Sequence, residues 1–274
     1  MAKKELLRAE LEKQRDEITR QRNEIIESIQ YAGLIQTSLL PRRKVLEKYF
    51  PDNFLLYLPK NIVSGDFYWF VPKGNRLYFA VGDCTGHGVP GALMSILGLS
   101  FLNEIISSRE HMQAHRILNL LREMVMKALH QTGDVTEAQD GMDIALCIYD
   151  RDKHVLQYAG ANNPLYLIRG GVAIEYKPDR MPIGISGMEE KPFSVQYLEV
   201  KKGDMLYLFT DGYVDQFGGP QRKKFKYDPF KALLINIAGY PAEKQQDILF
   251  EEFSRWKGDL IQVDDILVMG VKVP

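Results

Sequence analysis

From residue 54 onward the chain is a series of short apolar runs, each stopped by turn-forming residues. That pattern restricts it to strands packed in layers. The runs at 54–58, 67–71 and 77–81 are rich in aromatic and β-branched residues and read as strands. Further runs at 143–149, 155–159, 165–168, 172–176, 193–200, 205–210 and 266–273 continue the series, with turns such as Asp150-Arg151-Asp152 and Arg169-Gly170-Gly171 between them. Two pairs of helices interrupt it, at 90–106 and 114–131, then at 229–238 and 242–256. Pro90 suits a first helical turn. The polar stretch 133–141 reads as a loop. This order predicts an α+β layered sandwich rather than a regular βαβ parallel sheet.

The first forty residues follow another rule. They hold no proline before Pro41 and one glycine, Gly33. Read in heptads, Leu11, Ile18, Ile25, Ala32 and Leu39 fall on a, and Leu7, Gln14, Gln21, Ser28 and Ile35 on d. One seam row is apolar and the other is polar in its middle. This predicts a long helix with a weak coiled-coil face, ended by Pro41. Helical propensity alone does not stabilise so long a charged helix, so pairing with a second copy is expected. The expected organisation is a helical linker at 1–40 and one larger unit at 41–274.

Charge is balanced, 35 Lys+Arg against 36 Asp+Glu, which argues against a strongly basic nucleic-acid binder and against an acidic disordered chain. Cys84 and Cys147 are too few for a disulfide framework or a cysteine-rich zinc site and fit a reducing cytoplasm. The stretch 92–102 is shorter than the ~20 apolar residues that span a bilayer, and the charged N-terminus does not read as a signal peptide. A cytoplasmic chain without a membrane segment is expected.

Aspartates stand where the apolar runs stop: Asp66 in Ser64-Gly65-Asp66-Phe67, Asp83 in Gly82-Asp83-Cys84, Asp211 in Thr210-Asp211-Gly212, and Asp264-Asp265 before the last run. Each singly suits a structural role as well. Asp211-Gly212 is a common turn dipeptide, Asp83 could cap the following helix, and the pair could line a solvated edge. Converging carboxylates repel one another unless a cation lies between them, and an oxygen-only ligand set suits Mg²⁺ or Mn²⁺ rather than zinc. His87, in Gly86-His87-Gly88, is either a general acid or a residue that shapes the turn. The basic run Arg222-Lys223-Lys224-Phe225-Lys226 reads first as a solvated loop and second as a docking surface.

Six stretches occur in one order: SGDFY (64–68), VGDCTGHGVPGALMS (81–95), YAGANNPLYLI (158–168), MPIGI (181–185), LYLFTDGYVDQF (206–217) and VDDILVMGV (263–271). In these, and in the helix leading through IQYAGLIQTSLLP (29–41), the chain resembles the metal-dependent serine/threonine phosphatases of the PPM family, in the bacterial SpoIIE-like (RsbU-like) branch. The resemblance covers about residues 61–273. It implies an αββα sandwich of two antiparallel sheets flanked by helices, two divalent ions (Mn²⁺ or Mg²⁺), and hydrolysis of phosphoserine or phosphothreonine on a protein. It makes Asp83 the aspartate bridging both metals and gives the second metal the Cys84 backbone carbonyl and Asp66. Asp211 and Asp264 become ligands of the first metal, with Asp265 a lesser neighbour. The implied substrate is a STAS-type anti-sigma-factor antagonist, and an upstream sensor or activator is implied for the helix. The chain departs from the pattern at Leu267, where relatives carry Thr or Ser, and at Trp69, where an acid is common. No arginine matches the phosphate-binding arginine of eukaryotic members.

Two other readings use the same residues. A catalytically silent dimeric signalling module would keep the helix and dispense with the aspartates. A two-metal nucleotide enzyme would keep the aspartates, although no P-loop motif is present.

Overall fold

The computed structural model describes residues 2–109, 111–132, 140–185 and 191–274. In chain order the elements are α1 (Ala2–Leu39), α2 (Arg43–Tyr49), β1 (Asn53–Leu58), β2 (Phe67–Lys73), β3 (Arg76–Cys84), α3 (Val89–Ser108), α4 (Ala114–Ala128), β4 (Met142–Asp150), β5 (Val155–Ala161), β6 (Leu165–Arg169), β7 (Val172–Tyr176), β8 (Gln196–Glu199), β9 (Met205–Phe209), α5 (Gly212–Asp215), β10 (Phe217–Gly218), β11 (Lys223–Lys224), α6 (Tyr227–Ile237), α7 (Ala242–Lys257) and β12 (Ile266–Lys272). The expected loop at 133–141 lies, for residues 133–139, outside the described residues.

Two five-stranded antiparallel sheets form, ordered β1-β12-β9-β6-β7 and β2-β3-β4-β5-β8. Strands buried on both faces need apolar residues at successive positions, which explains runs without polar alternation. In β3, Leu77, Phe79 and Val81 face the other sheet, where they meet Leu165, Leu206, Leu208, Leu267 and Met269. Tyr78 and Ala80 face the opposite way, towards Leu99, Leu102 and Ile105 of α3 and Ile117 and Leu121 of α4. On the far side Phe54, Tyr207, Phe209 and Val268 pack under Phe230 and Leu234 of α6 and Leu249 and Phe253 of α7. The result is the expected αββα sandwich.

Two departures from the family pattern are core residues. Leu267 lies between the sheets. Trp69 is buried under α3, and its indole Nε1–H donates to Asn103 Oδ1 at 2.8 Å. Helix α3 is 20 residues long and apolar enough to cross a membrane by length and composition. Here it is a core helix, with Ala92, Met94, Leu99, Leu102 and Ile105 buried.

Helix α1 ends at Leu39, just before Pro41. Its C-terminal end joins the sandwich through Gly33, Gln36 and Leu40, which are buried. Gln36 Nε2 donates to the Ser64 carbonyl at 2.6 Å and to Ser95 Oγ at 2.8 Å, and Gln36 Oε1 accepts from Ser64 N–H. The heptad residues Leu7, Leu11, Ile18, Ile25, Ile35 and Leu39 are exposed.

Candidate active site

The aspartates expected from the strand ends come together where the two sheets end side by side. Asp83 is the penultimate residue of β3 and lies directly across the β3–β4 ladder from Asp143. Like charges placed opposite one another destabilise an antiparallel pair. Asp211 follows β9, and Asp264 precedes β12. One cavity of about 200 Å³ is lined by Asp83, Cys84, Thr85, Gly86, His87, Asp143, Asp211 and Asp264.

Asp66 and Asp265 lie behind that cavity. Asp66 is buried, and its Oδ2 accepts from the Thr210 hydroxyl at 2.7 Å. Thr210 in turn accepts from the Leu267 N–H, so the residue before Asp211 ties the first sheet to Asp66. The Tyr57 hydroxyl donates to the Asp66 carbonyl. Asp265, 2% exposed, accepts from Lys60 N–H at 2.7 Å and from Gly65 N–H at 2.8 Å. Both of its oxygens therefore hold the loop that leads to Asp66. The Cys84 carbonyl faces that loop: a β-carbon at Gly65 would lie 3.2 Å from it.

The structural alternatives divide in this fold: Asp211 is a turn residue and the N-cap of α5, without a side-chain capping bond, and Asp265 braces the 60–65 loop. The N-cap residue of α3 is Gly88, so Asp83 caps no helix. Asp265 is buried rather than on a solvated edge. Gly212 has an ordinary φ; it is required because a side chain there would overlap the Asp265 carbonyl. His87 sits at the cavity rim, exposed, between Gly86 (φ 80°) and Gly88 (φ 69°). The turn and the cavity lining are thus both properties of His87.

Burial and mutual repulsion dominate the electrostatics. Burial raises the Asp66 carboxyl well above its ordinary range; the Thr210 bond opposes this, and Asp265, Asp264 and Asp211 add to it. Asp83 is raised by burial and then by Asp66, Asp211, Asp264 and Asp143. Asp211 is pushed up to about 6 by burial and by Asp215, Asp264 and Asp143, against a hydrogen bond with Asp83. Among the described residues no Lys, Arg or His forms an ion pair with Asp66, Asp83, Asp143, Asp211, Asp264 or Asp265; the nearby Asp215 is paired with Lys224. Crowded carboxylates without a countercharge fit hard divalent cations. Among the described residues no three acidic, histidine or cysteine side chains close into a ready-made cage. Mg²⁺-like ions keep several waters and take one or two carboxylates each.

Asp143 was not among the candidates read from the sequence. Its signal is a single acid inside the otherwise apolar run 142–149. Its Oδ1 accepts from Asn162 Nδ2 at 2.8 Å, and Asn162 is held at φ 56°.

The family model described as Stage II sporulation protein E (SpoIIE) matches residues 73–274. Phosphoserine phosphatase RsbU of Bacillus subtilis (strain 168) is 28% identical over 195 residues, covering 69% of this chain and 54% of that protein. This chain thus spans about half the length of that relative. The solved SiaA-PP2C domain of Pseudomonas aeruginosa superposes with a TM-score of 0.83 at 28% identity, over 92% of this chain and 98% of that one. The PP2C phosphatase domain of SpoIIE from Bacillus subtilis, with a fragment of its regulatory domain, superposes with a TM-score of 0.65 at 20% identity, over 81% of this chain and 63% of that one, and shares the fold.

Proposed function

The chain belongs to the SpoIIE family and has the PP2C fold, and from that premise we propose that it is a metal-dependent phosphatase of phosphoserine or phosphothreonine on a protein partner. The observation that carries the proposal is the convergence of Asp83, Asp143, Asp211 and Asp264 on one cavity, with no basic side chain paired to them. In this reading Asp83, Asp211, Asp264 and the Cys84 carbonyl would hold two divalent ions, Mg²⁺ or Mn²⁺, with Asp66 in support. Such ions supply Lewis-acid charge for the phosphoryl oxygens and make a nearby water more acidic.

The chain's own residues supply geometry and protons. Thr210 and Tyr57 hold Asp66 in place, and Asp265 holds the loop that precedes it. Asp83 and Asp143 form one wall and Asp211 and Asp264 the other. The four carboxylates make the cavity negative, so it would repel a phosphate dianion unless their charge were offset. His87 stands at the rim, where its imidazole can hand a proton to the departing serine oxygen. No cysteine nucleophile is required: both thiols are buried, and burial pushes them well above their ordinary range.

The implied substrate is a STAS-type anti-sigma-factor antagonist, and the implied setting is the cytoplasm. The exposed seam of α1 supports a homodimer through residues 1–40, with 41–274 as the phosphatase unit and a sensor or activator acting on the helix.

The test is hydrolysis of p-nitrophenyl phosphate and of a phosphoserine peptide with Mn²⁺, with and without chelator, beside Asp83→Asn. Chelator-sensitive turnover that drops at least about 100-fold in the variant is expected, since loss of an electrostatic group in such a site costs this much. A wild-type chain that binds no Mn²⁺ by calorimetry and turns over neither substrate would favour the silent module.

A further inference from the structure

We propose that the basic hairpin after the Asp211 segment, together with the C-terminal end of α7, is a docking surface for an acidic stretch of the protein substrate. The proposal rests on the phosphatase reading above.

The hairpin is tied to the site by hydrogen bonds and ring contacts. Helix α5 starts directly after Asp211, and Asp215 N–H donates to the Asp211 carbonyl at 2.9 Å. Gln216, fully buried, donates to the Phe217 and Ile261 carbonyls and accepts from Val263 N–H, one residue before Asp264. Gly219 N–H donates to the Trp256 carbonyl, and the Trp256 indole donates to the Gln216 carbonyl. Phe225 packs edge-on against Trp256 and Tyr213. The same short segment thus connects to both metal-ligand candidates on the first sheet.

The exposed face of this segment is cationic. Lys224 is neutralised by Asp215 at 2.7 Å. Arg222, Lys223 and Lys226 are exposed and, among the described residues, form no ion pair. Arg222 (φ 49°) and Lys226 (φ 75°) sit in the left-handed region, which side chains rarely adopt. A cavity of about 340 Å³ lies between hairpin and helix end, lined by Arg222, Arg255, Trp256, Lys257 and a single acid, Asp259. Arg255 is partly engaged by Glu252, and the Lys257 ammonium donates to the Gly258 and Leu260 carbonyls.

The aspartate cavity and this surface therefore have opposite signs and are linked along the chain by α5, which leads from Asp211 to the start of the hairpin. A phosphoserine flanked by acidic residues matches both: the phosphate enters the cation-loaded cavity, and the flanking carboxylates meet Arg222, Lys223 and Lys226. Exposed charges of this kind act on encounter and orientation rather than on the chemical step. They weaken as salt rises.

The test uses the full chain with Mn²⁺ and three probes: p-nitrophenyl phosphate, a phosphoserine peptide with acidic flanks, and one with neutral flanks. The variant is Arg222→Glu with Lys223→Glu, and the control is Lys201→Glu with Lys202→Glu, at the opposite end of β9 from Asp211. The expected result is a fall of about tenfold in kcat/KM for the acidic peptide alone, reduced by high salt, with no change in the control. An acidic peptide handled equally by variant and wild type overturns the proposal, as does a loss shared by all three probes. Sedimentation of wild type but not variant with phosphatidylserine vesicles, without any peptide preference, overturns it in favour of a lipid surface. Anisotropy of a labelled acidic peptide separates the two readings. Binding lost in the variant, with no turnover of any probe by wild type, sinks the phosphatase and leaves the surface standing.

Discussion

A β-carbon at Gly212 would occupy the space of the Asp265 carbonyl oxygen, so α5 approaches the strand-β12 lead-in only because that residue has no side chain. Gly212→Ala should destabilise the protein by at least about 3 kcal/mol in urea unfolding, the upper range for forced overpacking of a rigid backbone contact. A loss below about 1 kcal/mol would show that the two segments separate freely. At this scale the sequence was informative about Asp66, Asp83, Asp211 and Asp264, because an acid that ends a buried strand is conspicuous. It was silent about Asp143, whose place opposite Asp83 depends on the register of β3 and β4. For the pair Asp264-Asp265 the family resemblance ranked Asp264 first, while the residues themselves carry no local signal that separates the two. Adjacent residues point to different partners, and only the fold puts Lys60 and Gly65 N–H groups against Asp265.

Helix α1 is 38 residues long, roughly 57 Å at 1.5 Å per residue, and is buried against its own sandwich at Gly33 and Gln36, with Ile26 and Ile29 half-buried. Ile18 and Ile25 are 65% and 60% exposed on the seam that the heptads define. Pairing through that seam predicts that Ile18→Asp with Ile25→Asp halves the mass found by sedimentation equilibrium while the sandwich melts within ~2 °C of wild type, since surface changes stay within ±0.5 kcal/mol. An unchanged mass would remove the paired-helix reading. The long elements were legible because their periodicity is local. Helix α2, helix α5 and the β10–β11 hairpin were not, because tertiary partners hold them. Leu46 and Tyr49 of α2 sit in the inter-sheet core, and Trp256 pins the hairpin.

Across the whole molecule the candidate site is a junction: Asp83 and Asp143 lie in one sheet with Asp66 just before its strand β2, and Asp211, Asp264 and Asp265 flank strands β9 and β12 of the other. Folding therefore forces six carboxylates together, and protons or cations must offset them. With chelator present, the raised Asp66 and Asp83 and the Asp211 value of about 6 mean that the folded state binds protons the unfolded chain has released. The sign follows from linkage: stability from this cluster is fully present below the unfolded carboxylate pKa, roughly 3.9, and is lost as pH rises through the folded values, for Asp211 by about pH 6. The chelated chain should accordingly melt at a lower temperature at pH 7 than at pH 5.5. Saturating Mn²⁺ should raise the melting point most at pH 7, because an ion that binds only the folded state stabilises it by mass action. A chelated melting point that rises between pH 5.5 and 7, with no response to Mn²⁺ in calorimetry, would mean that the cluster carries no such load. The sequence by itself determined the long helix, the strand-length runs buried on both faces and the acids at their ends, because each depends on a few neighbouring residues. Only the tertiary structure decided that those acids meet, that Asp143 joins them and that a basic hairpin stands beside them. Those facts depend on pairings such as Asn53 with Val271, whose register no local pattern specifies.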